Sequence, residues 1–144
     1  MTPLKKIKSF IGKEFTESPS PFMRWLSPII VVAEQGKLEF KYQIRPEWLN
    51  PVGNLHGGIT AAIVDDIIGA TMISLNEPHF YTTINNVIDY FSAVQGDEII
   101  IAKTTIIKKG KQFMNAECEI WNSNKTRLIA KGSSNLFKTE IKIH

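Results

Sequence analysis

Residues Asn50–Leu75 read NPVGNLHGGITAAIVDDIIGATMISL, a glycine-marked turn running into a long, nearly all-apolar segment that carries two acids. Gly57 and Gly58 allow the backbone to turn tightly. A helix starting there leaves N–H groups without intrahelical partners, at the end where the dipole favours negative charge. Such a turn is a built-in place for an oxyanion. From Ile59 onward, Ile59, Ile63, Ile67 and Ala70 share one stripe, while Ala62, Ile68, Met72 and Leu75 fall on others. A helix that is apolar almost all round is a buried one.

Two other structures compete for this stretch. Its β-branched residues Ile59, Thr60, Ile63, Val64, Ile67, Ile68, Thr71 and Ile73 argue locally for a strand, because they lose χ1 freedom in a helix. Length argues back, since strands rarely exceed about 10 residues. A transmembrane helix would place Asp65 and Asp66 near its centre, where each carboxylate costs roughly 3 kcal/mol, in a segment at the short end of the spanning range. A buried helix in a globular domain meets all three tests.

The two carboxylates then need an explanation, because a buried, unpaired carboxylate is normally paired, protonated or reached by water or substrate. Successive helical residues lie about 100° apart, so Asp65 and Asp66 face different neighbours. Asp65 follows Gly58 by seven residues, two turns up nearly the same stripe and above the turn with the bare amides. If one acid does chemistry, the spacing favours Asp65, and Asp66 is read as structural.

The rest of the chain fits one domain. At 144 residues, 43% hydrophobic and 22% charged, it can bury a real core and has an ordinary globular composition. A net charge of +3 without Arg-rich or aromatic-spaced basic tracts points to a solvated surface and no nucleic-acid platform. Cys118 is the sole cysteine, which excludes an internal disulfide and fits a reducing, cytoplasmic setting. It alternates with Ala116 and Ile120 as buried filler. Lys5, Lys6 and Lys8 precede no long apolar run, so no signal peptide is read. His56, His79 and His144 lie far apart without partners at ligand spacing, so no metal or cofactor is expected. No G-x-S-x-G elbow, P-loop or dinucleotide fingerprint is present.

Residues 1–28 read as a helical arm and 29–144 as the domain. Leu4, Ile7, Phe10 and Ile11 recur at helical spacing opposite the lysines. This basic, amphipathic face is expected to pack on the domain and to leave membranes alone. Ser18-Pro19-Ser20-Pro21 breaks the arm, and Phe22, Met23, Trp25 and Leu26 form a second apolar turn over one mouth of the core. Ile29–Ala33 reads as a short strand, and Lys37–Ile44 alternates with Leu38, Phe40, Tyr42 and Ile44 inward. After the helix come strands over Tyr81–Ser92, Glu98–Lys108, Gln112–Asn122 and Arg127–Thr139, separated by turn residues. One long helix followed by a strand meander is an α+β domain.

Asn50, the run Gly53-Asn54-Leu55-His56-Gly57-Gly58 and Asp65 in HGGITAAIVD together resemble the hotdog-fold acyl-CoA thioesterases. The likeness is to the phenylacetate-pathway and 4-hydroxybenzoyl-CoA thioesterase types and the mammalian thioesterase-superfamily members. With the later strands and the KKGKQF turn, it extends from Lys37 to Phe137. The sequence departs at Asn54, where a β-branched residue is frequent, and at Thr83, where Ser is frequent.

The resemblance implies an antiparallel sheet wrapped round the helix and hydrolysis of an acyl or aryl thioester of coenzyme A. A thioester needs its oxyanion stabilised and a water activated, while the thiolate leaves readily. Gly57 N–H suits the first task. Asp65 suits the second, as general base or as nucleophile. By motif position Asn50 would orient the water and carbonyl, Thr83 would supply a hydroxyl near the acid, and His56 would order the loop. Gly58, Lys108, Lys109, Lys111, Lys131 and Ser133 would bind substrate, the lysines through its phosphates. The resemblance further implies a homodimer, or a dimer of dimers, with Asn50 and Gly57 from one chain facing Asp65 and Thr83 from the other. Two other readings compete: a non-catalytic acyl-CoA-binding protein on the same fold, and a hotdog dehydratase or hydratase, whose sites pair a His with an acid and lack the H-G-G turn.

Overall fold

The stretch from Gly57 to Ile73 forms one α-helix of 17 residues (α3) in a computed structural model that describes residues 1–143; His144 lies outside the described residues. Ile63, Val64, Ile67, Ile68 and Met72 are completely enclosed on it. Burial on several sides overrides the poor helix propensity of the β-branched residues, because tertiary packing supplies most helix stability in proteins. Its buried Thr71 and the capping Ser74 are both hydrogen-bonded. The Thr71 hydroxyl donates to the Ile67 carbonyl at 2.7 Å and meets the Thr104 hydroxyl, and Ser74 Oγ accepts from Gly36 N at 3.0 Å.

The elements run α1 (Pro3–Lys8), α2 (Pro21–Leu26), β1 (Ile29–Glu34), β2 (Lys37–Gln43), a short 3-10 turn (Pro46–Trp48), α3, β3 (His79–Tyr90), β4 (Ile99–Lys109), β5 (Phe113–Asn122) and β6 (Leu128–Lys142). The six strands form one antiparallel sheet in the order β1-β2-β4-β5-β6-β3. This is the hotdog arrangement, a sheet curled round a single long helix. Leu38, Phe40, Tyr42 and Ile44 point inward and are at most 1% exposed, as their alternation predicts. At Gly132 on β6 the sheet lies close against the helix: a Cβ built there would sit 2.7 Å from Val64 Cγ1.

The meander expected after the helix is only partial. β4, β5 and β6 follow one another, but β3 crosses to the far side and pairs with β6, because β2 already occupies the near edge of β4. That crossing gives the sheet two unlike edges. On the β1 edge the arm closes the ladder: Gly12 N donates to Ile30 O at 2.7 Å, Ile30 N to Lys13 O at 3.1 Å, and Phe15 N to Pro28 O at 3.0 Å. On the β3 edge no strand follows among the described residues.

The arm itself is shorter in helix than its periodicity suggests. α1 ends at Lys8, and Ile11 forms a bridge with Ile30 instead, since Gly12 turns at φ +84° and the β1 edge offers backbone partners. Ser20 caps α2 by accepting from Met23 N at 3.1 Å, with Pro21 at the first helical position. Arg45 then fixes α2 to the domain. Its guanidinium lies 4.6 Å from the Trp25 ring and 4.5 Å from the Trp48 ring, a double cation–π contact.

Candidate active site

The start of α3 is built by a loop that closes on itself. Asn50 Oδ1 accepts from Val52 N at 3.1 Å and from Asn54 N at 3.0 Å, Asn50 N donates to Asn54 O at 2.7 Å, and Gly53 turns at φ +84°. With Oδ1 so engaged, the Asn50 Nδ2 has no hydrogen-bond partner among the described residues. Leu55 N and His56 N are tied to Val94 O and Trp48 O at 2.6 and 2.8 Å. The loop therefore delivers His56 rigidly to the helix end.

His56 is the N-cap. Its Nδ1 accepts from Gly58 N at 2.8 Å, which puts the ring proton of the neutral imidazole on Nε2. A Cβ at Gly58 would fall 3.0 Å from that nitrogen, so the absent side chain makes room for the ring. The cap uses the Gly58 N–H and leaves the Gly57 N–H without a hydrogen-bond partner among the described residues. A Cβ at Gly57 would meet only the Tyr90 ring at 3.5 Å, an ordinary contact, and Tyr90 Oη donates to the Gly57 carbonyl at 2.9 Å.

Asp65 stands eight residues up the same helix, roughly 12 Å along the axis at 1.5 Å per residue. It is exposed, and its Oδ1 accepts from Asn86 Nδ2 at 3.1 Å. Asn86 in turn accepts a short hydrogen bond on Oδ1 from the hydroxyl of the fully buried Ser134. Sequence reasoning misses Asn86. The signal available is an Asn-Asn pair in the middle of a strand, where Asn is disfavoured. What decides its direction is a β-bulge: Thr83 pairs with Leu136 and Asn85 with Asn135, so Ile84 is an extra residue. The bulge resets the two-residue alternation, and both Thr83 and Asn86 face the helix beside the inward Leu136 and Ser134. Thr83 is half-buried and makes no side-chain hydrogen bond among the described residues.

Asp66 turns the other way, under the arm. Its Oδ2 is buried without a partner. Burial, and then the neighbouring Asp65 charge, push its carboxyl up to about 7, against the opposing effect of the Ser20 hydroxyl. The phenol of Tyr42, also buried and unpartnered, is raised well above its usual value, first by burial and then by Asp66. Burial likewise raises the Cys118 thiol, which is fully enclosed.

The basic residues separate into two groups. Lys108, Lys109 and Lys111 gather at the β4–β5 turn, toward the C-terminal end of α3, where Lys109 pairs with Glu77 at 2.8 Å. Lys111 lines an open cleft of about 550 Å³ with Gln112, Phe137 and Lys138. Lys131 and Ser133 lie on the outer face of the sheet, in register with Glu119 and Asp89 and with Glu117 and Val87 respectively. The sheet thus stands between them and Asp65.

A single long helix wrapped by an antiparallel sheet, with a bare amide at its start and an anchored carboxylate at its middle, defines a hotdog-fold protein. The sequence model of the Thioesterase superfamily matches residues 52–129. The chain is 30% identical over 112 residues to acyl-coenzyme A thioesterase 13 of Homo sapiens, covering 77% of this chain and 80% of that protein. Among solved structures it superposes on the PaaI protein of the phenylacetic acid degradation operon of E. coli with a TM-score of 0.83 at 15% identity, over 99% of this chain and 100% of that one. It also superposes on a hypothetical thioesterase from Streptococcus pneumoniae TIGR4, solved with coenzyme A, with a TM-score of 0.72 at 25% identity, over 76% and 84% of the two chains. The chain belongs to the thioesterase superfamily, and it is a thioester hydrolase.

Proposed function

We propose that the chain hydrolyses acyl- or aryl-CoA thioesters as a homodimer, or a dimer of dimers, in which Gly57 of one protomer and Asp65 of its partner flank the scissile carbonyl. The bare Gly57 amide is the observation that carries this reading. His56 takes the Gly58 N–H, so the Gly57 N–H at the positive end of α3 is left without a partner among the described residues. A donor so placed against a developing oxyanion contributes about 3 kcal/mol to the transition state. Asp65 cannot serve its own Gly57, being two turns away along a rigid helix. A second helix brought alongside in the opposite direction removes that mismatch.

The open β3 edge supplies the means. It offers twelve residues of unpaired backbone on one side, with Ile84 and Val87 53% and 61% exposed, and an uncovered edge of that length is a template for pairing. Antiparallel pairing of two such edges would bring the β4–β5 turn of one protomer toward the Gly57 end of the other. Lys108, Lys109 and Lys111 would then lie where the phosphates of coenzyme A can reach them. Lys131 and Ser133, on the outer face, are assigned to the more distant parts of the same ligand.

In the reaction, Asp65 removes a proton from water as it adds to the thioester carbonyl, and the carbonyl electrons move onto oxygen facing Gly57 N–H. The oxyanion collapses, the C–S bond breaks and coenzyme A departs as thiolate. Asp65 then returns its proton to solvent or to the thiolate. In the nucleophilic variant Asp65 attacks first and water cleaves the resulting anhydride. Asn50 Nδ2 and the Thr83 hydroxyl are the donors assigned to the carbonyl and the water. A reducing compartment, the cytoplasm, suits the lone cysteine. Thiol release from a panel of CoA esters tests the reading. Asp65→Asn should lower kcat by about 100-fold or more while the protein stays folded. Full activity in that variant overturns the role of Asp65, and tight binding without turnover across the panel overturns hydrolysis.

A further inference from the structure

We propose that Asn86 is a positioning residue for Asp65, and that the buried Ser134 holds it in place. The proposal rests on the reading of Asp65 as the reacting acid. An amide side chain can be turned either way, presenting a donor or an acceptor to a neighbour. Here the carboxylate of Asp65 only accepts, so Nδ2 is the group aimed at it, 3.1 Å away. The fully enclosed Ser134 hydroxyl, which rotates to suit either partner, then donates to Asn86 Oδ1 and holds the amide in that orientation. The Ser134 carbonyl is itself held by Asn115 Nδ2 at 3.2 Å, so the chain of contacts is anchored across β5, β6 and β3.

The consequence is chemical. A carboxylate on an exposed turn of helix rotates about its own side chain, and either oxygen can meet the substrate. With Oδ1 tied to Asn86, Oδ2 is the oxygen with no partner among the described residues, and it is the one left to take a proton or attack a carbonyl. Holding a reacting atom in place is worth much in rate, since a 1 Å displacement costs on the order of 100-fold. The bulge at Ile84 is what makes this possible, because without the extra residue Asn86 would face outward.

The test uses the full-length protein. Asn86→Ala should lower kcat about 10- to 100-fold with KM nearly unchanged. Asn86→Asp keeps the shape and the contact from Ser134 but replaces the donor with an acceptor, so it should lose at least as much; a residue that merely fills space would tolerate this isostere. Ser134→Ala should lower kcat alone and add nothing further in the Asn86→Ala background, the non-additivity expected of residues acting as one unit. Unchanged kcat in both Asn86 variants, or additive effects of the two sites, overturns the proposal. An activity-independent readout separates its failure from failure of the hydrolytic reading. The side-chain amide resonances of Asn86 should move in Asp65→Asn and in Ser134→Ala; if they stay in place in both, the proposal fails even where the enzyme is active.

Discussion

At the residue scale the chain sets two carboxylates side by side and gives them opposite surroundings. Asp65 is exposed and held by Asn86, whereas Asp66 is turned under the arm with Oδ2 buried and alone. The folded protein therefore holds the proton of Asp66 more tightly than the unfolded chain does. Its contribution to stability is complete below the unfolded value of 3.8, declines as pH rises, and is fully lost above about 7. At 1.36 kcal/mol per pH unit the loss is on the order of 4 kcal/mol. Asp66→Asn carries no charge at any pH, so its melting temperature should exceed that of the parent at pH 8 by clearly more than at pH 4, read from thermal melts at both. An equal difference at the two values would show that Asp66 titrates normally. Both acids are visible in the sequence, and the seven-residue step from Gly58 picks out Asp65. The environment that splits them is not, because the arm and β2 that cover Asp66 are distant in the chain.

At the element scale α3 lies against the sheet at Gly132 with no space to spare, since an added Cβ would come 2.7 Å from Val64. Gly132→Ala should destabilise the protein by about 1 to 3 kcal/mol, measured by denaturant unfolding, although alanine suits a strand no worse than glycine. A neutral result would mean that the helix can retreat. The helix was legible from a run too long for a strand and too charged for a membrane. The alternating strands were legible too, their bounds differing by at most three residues from those observed. The bulge in β3 was not, because local sequence carries no mark for which residue of a strand goes unpaired. That one residue decides that Asn86, and not its neighbour, meets Asp65.

At the scale of the whole molecule the sheet has one edge closed by the arm and one edge open. The open edge carries Ile84 and Val87 into solvent, a poor arrangement for a lone chain. Lysine at both positions should yield a folded monomer with activity lost, as light scattering and thiol release would show together. A fully active monomer would sink the shared site. Roughly 12 Å between Asp65 and its own Gly57 is the reason the two losses should coincide.

The sequence by itself determined the buried helix, the glycine turn that exposes an amide, the acid two turns beyond it and the inward faces of the strands. These follow from spacing, chain flexibility and apolar periodicity, all of which are local. Tertiary structure alone decided the pairing of β3 with β6, the reset of the strand at Ile84, the direction of Asn86 and the burial of Asp66. Each of these depends on which distant segments meet, and a chain records its contacts across space only by folding.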